Sequence, residues 1–372
     1  MRILYCLDGT FNSGGKERIV INKANWLASH GYDVAIFTTE QAGRPDFFPL
    51  KGVKRYDSDI LFTNIKDKNP FSKFLILQNR KNKCKKILQN YIDIFKPDII
   101  ISTNGYEVSI VNKVKRVRKK IIESHFTRWF RLKRNRSGIW KIVDRILTKQ
   151  DLKEVKKYDK LICLTNEDRL NWKEIDNADV INNFIEEKTF HAAPLENKLM
   201  IAVGRLQYQK GFDRLINAWK IVNNKFPDWK LNIFGDGELK DELNHQIEQL
   251  GLKDSVNINV PTKNIHSEYL KSSALLMSSH YEGLPMVMLE AMETGLPVVS
   301  FDFPCGPKDL IKNGTNGFLI KEGDIEGMAN MIGRLIEDRE ERKRMGKINF
   351  ETTKKNYPDS IMEKWIKIFN EN

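Results

Sequence analysis

The chain has 372 residues, 41% of them hydrophobic and 30% charged, with a net charge of +13. This length exceeds one ordinary α/β core and suits two domains of about 180 residues each, and the even spread of hydrophobic residues excludes a disordered chain. Cys6, Cys84, Cys163 and Cys305 stand far apart with no Cys-x-x-Cys pair, which argues against a zinc site and for a reducing compartment.

From the N-terminus, a predicted strand over 2–7 breaks at Asp8, well short of the apolar region of a signal peptide. No window reaches the roughly 18 consecutive apolar residues that would span a bilayer. The expectation is a cytoplasmic protein that meets a membrane, if at all, at its surface. Asn12-Ser13-Gly14-Gly15-Lys16-Glu17-Arg18 follows and leads into an amphipathic stretch ending near Ser29. Its two glycines let backbone amides approach an anion at a helix N-terminus, or they form an ordinary tight turn. Asp57-Ser58-Asp59 has the Asp-x-Asp form that holds a divalent cation against a diphosphate. It lies in a polar stretch without strong strand character and reads as a loop accident.

Further strands are predicted over 33–39, 97–102, 119–123 and 159–164, with helix-like stretches between several of them, which is the βαβ pattern. Residues 79–149 carry 20 Lys and Arg against five acids, a net +15. The remainder of the chain is therefore slightly acidic, and the basic excess is a local device for an anionic partner. Within it Trp129, Phe130 and Trp140 lie among Arg128, Arg131, Lys133, Arg134 and Arg136. That mixture suits an anionic lipid surface. A nucleic-acid binder would use the same cations for phosphate contacts, but would leave the second half of the chain without a role.

Residues 184–197 are polar, contain Pro194 and follow neither period, so the hinge between two doubly wound domains is predicted there. Apolar runs over 199–204, 230–235, 274–279, 297–301 and 317–320 then repeat the βαβ grammar. The first ends in Gly204-Arg205-Leu206 with Lys210-Gly211 beyond, two cations able to neutralise a diphosphate leaving group without a metal. Gly235-Asp236-Gly237 imitates part of a dinucleotide fingerprint but lacks its third glycine, so no nicotinamide cofactor is expected. Ser279-His280-Tyr281-Glu282-Gly283-Leu284-Pro285 sets one acid in a loop and Glu290 inside the following helix. The two carboxylates suit vicinal hydroxyls of a ribose and a sugar, and the amides of Gly283 and Leu284 add donors.

Taken together these motifs resemble the family 4 glycosyltransferases, whose hallmark is two glutamates separated by seven residues, here Glu282 and Glu290. The resemblance runs through Gly14-Gly15, Gly204 to Gly211, Phe234-Gly235-Asp236-Gly237, Gly295-Leu296-Pro297-Val298-Val299 and Asn316-Gly317-Phe318-Leu319, nearly the whole chain. It implies a GT-B fold, two Rossmann-like domains facing across a cleft, with an acceptor domain over 1–183, a nucleotide-sugar domain over 184–357, and a C-terminal helix over 358–372 that crosses back to the first domain. It further implies a retaining transferase in which the departing diphosphate helps take the acceptor's proton. In that reading Arg205 and Lys210 bind the diphosphate, Glu290 the ribose, Glu282 the transferred sugar, and Gly14 and Gly15 approach the phosphate and acceptor. His125, at the end of a first-domain strand, is the histidine near the donor sugar. The sequence departs from the family at Phe126, where many relatives carry an acid, and at Cys305-Gly306-Pro307-Lys308-Asp309, where Gly-Gly with a following Glu is commoner.

The stretch around Ser300-Phe301-Asp302 resembles members that build capsule, O-antigen or other lipid-linked oligosaccharides, often from UDP-hexoses or UDP-N-acetylhexosamines. The resemblance thus implies a nucleotide-sugar donor and a glycan or lipid-linked acceptor, and the basic, aromatic-bearing segment points to an anionic membrane surface contacted by Arg128, Trp129, Arg131, Lys133 and Arg134; no cofactor, no metal and no nucleic acid are expected. With no spanning segment, that surface is expected to be met peripherally, on the inner face of the cytoplasmic membrane. A sugar-nucleotide epimerase or a phosphorylase of the same fold is the enzymatic alternative.

Overall fold

The structure, a computed structural model, describes residues 1–12, 14–64, 70–133, 137–186 and 191–371. The chain divides into two compact units, Met1–Asn182 with Met362–Asn372, and Asn183–Ile361.

Among the described residues the first unit is built on a seven-stranded sheet of β1 (Arg2–Leu7), β2 (Asp33–Thr38), β3 (Lys54–Asp57), β4 (Ile99–Ser102), β5 (Lys119–Ser124), β6 (Lys160–Cys163) and β7 (Ala178–Val180). Every pairing is parallel and the order is β3-β2-β1-β4-β5-β6-β7. Five of six residues in β1 and β2 are buried, as expected of parallel strands covered by helices on both faces. The expected strands are present to within one or two residues, and three more join them: β3, β7 and, in the second unit, β10. These are polar or very short edge strands, so they lack the continuous apolar run that betrays a buried parallel strand.

Among the described residues the second unit's sheet has six strands, β8 (Leu199–Val203), β9 (Lys230–Phe234), β10 (Val256–Asn259), β11 (Ala274–Met277), β12 (Val298–Phe301) and β13 (Gly317–Ile320), in the order β10-β9-β8-β11-β12-β13. All of these pairs are parallel as well. Trp219, Leu215 and Ile216 of the helix Phe212–Lys225 are fully buried in one continuous core with Ile332 and Leu335 of the helix Ile325–Glu337. Two of the helices that follow β13 start on aspartate caps. Asp324 accepts from the Gly327 amide at 2.8 Å and Asp338 from the Glu341 amide at 2.8 Å, each satisfying a donor that the first turn leaves orphaned.

The last helix, Pro358–Asn370, begins among the final residues of the second unit and from Met362 onward belongs to the first. There Trp365 and Phe369 are fully buried. The Arg118 guanidinium donates to the Phe369 carbonyl at 2.9 Å and the Lys119 ammonium to the Ile368 carbonyl at 2.8 Å. The orphan carbonyls of the helix end thus meet cations, which its dipole also favours.

In both sheets the strand order reverses once, between β1 and β4 in the first unit and between β8 and β11 in the second. The crevice beyond the carboxyl ends of such neighbouring strands is where doubly wound sheets bind ligands. The loops after these four strands therefore position the candidate site.

Candidate active site

In the second unit the loops after β8 and β11 are laced together. Ser278 donates its hydroxyl to the Lys210 carbonyl at 3.0 Å, the His280 amide donates to the Gln209 carbonyl at 2.8 Å, and the Gln209 side chain donates to the Tyr281 carbonyl at 3.0 Å. This approach requires glycine at 211. Its φ is +59°, and a Cβ there would stand 2.4 Å from the Ser278 carbonyl oxygen.

The lacing delivers Lys210 to Glu282. The ammonium lies 2.6 Å from Glu282 Oε1, which also accepts from the Ser279 hydroxyl at 2.9 Å, while Oε2 accepts from Gln209 Nε2 at 3.1 Å. Glu282 is buried, and an ionised carboxylate has about four acceptor positions. Three protein donors thus orient the group and leave capacity for a hydroxyl. Arg205, on the same loop as Lys210, is exposed, and its side chain has no hydrogen-bond or ion-pair partner among the described residues. Beyond Glu282, the amides of Gly283, Leu284 and Met286 donate to no described backbone carbonyl. They precede or open the helix Met286–Glu293, whose N-terminus favours an anion. Glu290 stands within that helix, half-buried, and accepts from the Tyr269 hydroxyl at 3.3 Å.

Gln209, Ser279 and Tyr269 escape sequence reasoning because the contacts that recruit Gln209 and Tyr269 span 73 and 21 residues, and Ser279 reads as an ordinary strand-end serine. His280 is likewise absent from the expected set. Its ring stacks on Tyr208 with centroids 4.2 Å apart, and Nδ1 is 3.6 Å from Glu322. Burial, reinforced by the Arg214 charge, holds its pKa below the ordinary histidine value.

In the first unit Gly14 caps the helix Gly15–Ser29 and accepts from the Arg18 amide at 3.1 Å. Lys16, in the first turn, is ion-paired with Asp8 beyond the end of β1. After β4, buried Glu107 accepts from the amides of Gly105 at 2.7 Å and Thr103 at 3.1 Å with Oε1, while Oε2 has no hydrogen-bond partner among the described residues. Burial pushes its pKa up to about 7 despite the opposing pull of Lys16. Nothing in the residue spacing singles Glu107 out. His125 follows β5 and is buried, with its amide 3.3 Å from Asn104 Oδ1 and Nε2 3.5 Å from Glu123 Oε1. Glu123 is itself fully buried and paired with the equally buried Lys23, whose ammonium sits 4.6 Å from the centre of the Trp365 ring. Burial alone would raise the Glu123 pKa, but Lys23 and His125 outweigh it and hold the carboxyl down to about 2.

The basic segment departs from its expectation as a solvent-facing cluster. Arg128 is buried and doubly bonded to Glu174, with its guanidinium 4.5 Å from the Trp129 ring and 5.2 Å from the Trp172 ring. Arg131 is partly buried and donates to Asp151 at 2.8 Å, and Trp129 is half-buried. Acids 20 to 46 residues downstream, Asp151 and Glu174, fold back onto these cations and spend their charge inside the unit. Lys133 is exposed, whereas Arg134 lies outside the described residues, as does Arg136.

The two decoy motifs have structural occupations. Contrary to the expected lack of strand context, Asp57 closes β3. It accepts from the Thr38 hydroxyl at 2.6 Å and from Arg55, and Asp59 accepts from the Ala42 amide at 2.7 Å. Gly235 lies against the β8 loop so closely that a Cβ would stand 2.0 Å from the Gly204 carbonyl oxygen. That glycine serves strand-to-loop packing.

A family model described as glycosyl transferases group 1 matches residues 183–352, nearly all of the second unit. An uncharacterized glycosyltransferase of Haemophilus influenzae is 32% identical over 335 residues, covering 88% of this chain and 88% of its own. The chain belongs to the group 1 glycosyl transferases. This glycosyltransferase is also similar to the amylovoran biosynthesis glycosyltransferase AmsD of Erwinia amylovora, 28% identical over 393 residues and 99% of each chain. The crystal structure of an S. aureus TarM mutant in complex with fondaparinux, alpha-GlcNAc-glycerol and UDP matches with a TM-score of 0.79 over 100% of each chain, at 18% identity. That likeness and the two doubly wound sheets give the glycosyltransferase the GT-B fold.

Two outcomes follow for the first unit. Glu123→Ala strands a buried ammonium and should cost about 3–5 kcal/mol, whereas Lys23→Met combined with Glu123→Leu should recover most of that loss; urea denaturation of the three proteins checks this. For Glu107 the folded pKa is raised, so its contribution to stability is present below the unfolded value and is lost as pH climbs through about 7. Glu107→Gln cannot ionise, and its stability relative to the wild type should rise by about 3 kcal/mol between about pH 4 and about pH 8, read from denaturation midpoints across that range.

Proposed function

We propose that this glycosyltransferase is a retaining, metal-independent family 4 enzyme that transfers a hexose or N-acetylhexosamine from a UDP-sugar to a glycan or polyprenyl-diphosphate-linked acceptor in bacterial surface polysaccharide synthesis. The observation that carries the reading is the cluster at the ends of β8 and β11: Arg205, whose side chain has no partner among the described residues, the Lys210–Glu282 pair, and the amides of Gly283 and Leu284, which donate to no described backbone carbonyl. A diphosphate leaving group needs cations and oriented amides, and a sugar needs a fixed carboxylate.

In the proposed reaction Arg205 and Lys210 hold the diphosphate together with the amides of Gly283 and Leu284. Glu290, steadied by Tyr269, takes the ribose hydroxyls. Glu282 takes hydroxyls of the transferred sugar, and its protein donors keep it from swinging away. The acceptor hydroxyl attacks the anomeric carbon on the face from which the diphosphate departs. The bond from that carbon to the diphosphate oxygen breaks, and this oxygen receives the acceptor's proton. His125, held against Glu123, is assigned to the sugar by resemblance, and Gly14 and Gly15 to the phosphate and acceptor. No cofactor is required by this scheme, and no nucleic acid is involved.

AmsD is named for amylovoran biosynthesis and the TarM structure contains UDP; both support polysaccharide synthesis from a UDP-sugar here. Among the described residues no helix is long and apolar enough to cross a membrane. A lipid-linked acceptor would therefore be met at the surface of the inner leaflet, where the chain is proposed to attach peripherally.

Calorimetric titration with UDP-, GDP- and CMP-sugars in EDTA tests the reading. One UDP-sugar should bind in the presence of EDTA, and Glu290→Ala should weaken it by at least tenfold, as loss of a charged hydrogen-bonding partner predicts. Binding abolished by EDTA, or indifferent to Glu290→Ala, would contradict it.

A further inference from the structure

The helix Ile139–Val155 is amphipathic in the wrong sense for a helix that serves only its own core. At 100° per residue Ile139, Ile142 and Ile146 share one face, and that face points to solvent, with exposures of 72%, 56% and 60%. Trp140, about 100° round the helix from Ile139 and so off the stripe, is 57% exposed. The buried positions are instead Asp144 and Thr148 with Val155, while Val143, Leu147 and Leu152 are partly buried. Placing two polar groups inside and three isoleucines outside is costly unless something apolar covers the stripe.

The exposed charges of the helix say what that is. Lys141, Arg145, Lys149 and Lys153 are all exposed, and none has an ion-pair partner among the described residues. The helix's acids are unavailable to balance them: Asp144 is buried, Asp151 is held by Arg131, and Glu154 is bonded to Asn112 at 2.8 Å and Lys157 at 2.9 Å. Exposed Leu132 and Lys133 lie just upstream. A second copy of the chain would bring one cationic face against another, which opposes self-association.

We propose that the outward face of the helix Ile139–Val155 docks on an anionic lipid bilayer, with the isoleucine stripe entering the headgroup boundary and Arg145, Lys149 and Lys153 meeting lipid phosphates. An interfacial helix with an apolar stripe and a basic rim has this composition. The inference rests on the reading of a membrane-borne acceptor and assigns its docking to this helix, not to Arg128 and Arg131, whose charges are spent internally.

The test is co-sedimentation of the full chain with vesicles of phosphatidylglycerol and phosphatidylcholine, and with phosphatidylcholine alone, in parallel with UDP titration. Two double variants at solvent-facing positions are compared, Ile142→Ser with Ile146→Ser and Arg145→Glu with Lys149→Glu. The wild type should favour the anionic vesicles at least tenfold, and each variant should lose at least tenfold of that binding with UDP affinity unchanged. If the wild type ignores anionic vesicles, or the variants bind them as it does, while UDP still binds, the docking face is wrong and the transferase reading stands. A dimer dispersed by the isoleucine variant, with no vesicle binding, would seat a second copy on the stripe and equally overturn the proposal. Failure of the wild type to bind UDP would instead strike the transferase reading itself.

Discussion

Everything proposed for the second unit depends on the reversal of strand order between β8 and β11. These strands are neighbours in the sheet although some 70 residues separate them. Their loops leave the sheet edge side by side, and only because residue 211 is a glycine can the first loop close onto the Ser278 carbonyl. From that closure follow the Lys210–Glu282 pair, the three donors that fix the Glu282 carboxylate, and the position of the helix Met286–Glu293 with its open amides. Remove the close approach and the same residue types become scattered surface charges.

The first unit uses its own reversal, between β1 and β4, differently. Around its strand ends lie buried, electrostatically loaded groups: Glu123 against Lys23 of the helix Gly15–Ser29, His125 beside Glu123, and Glu107, whose Oε1 is bonded and whose Oε2 has no partner among the described residues. A buried ion pair contributes little net stability once desolvation is counted, yet it is expensive to break. Lys23 and Glu123 are best understood as fixing the end of β5 and with it the residue that follows, His125. The terminal helix joins this arrangement through Trp365, which covers the Lys23 ammonium.

Much of this was legible in the sequence because parallel strands buried on both faces leave continuous apolar runs, and because Glu282, Glu290, Arg205 and Lys210 sit directly beyond or soon after such runs. Edge strands β3, β7 and β10 left no such trace. Nor did the supporting residues: Gln209 and Tyr269 gain their importance from contacts made far along the chain. The basic segment shows the converse failure. Counting cations in a window cannot reveal that Glu174 and Asp151, farther along, have already neutralised Arg128 and Arg131. Nor can net charge tell that Asp144 and Thr148 of the helix Ile139–Val155 are buried while Ile139, Ile142 and Ile146 face solvent. Only burial distinguishes a cation that holds a fold together from one that is left for a partner.

The central claim is that the donor diphosphate binds where β8 and β11 part company. Hydrogen–deuterium exchange of the intact protein with and without UDP addresses it directly, because the amides concerned are those after β8 and before the helix Met286–Glu293. The account predicts UDP-dependent protection concentrated in residues 204–211 and 282–290. Protection confined to the strand ends of the first unit, or spread without regard to these two loops, would contradict it.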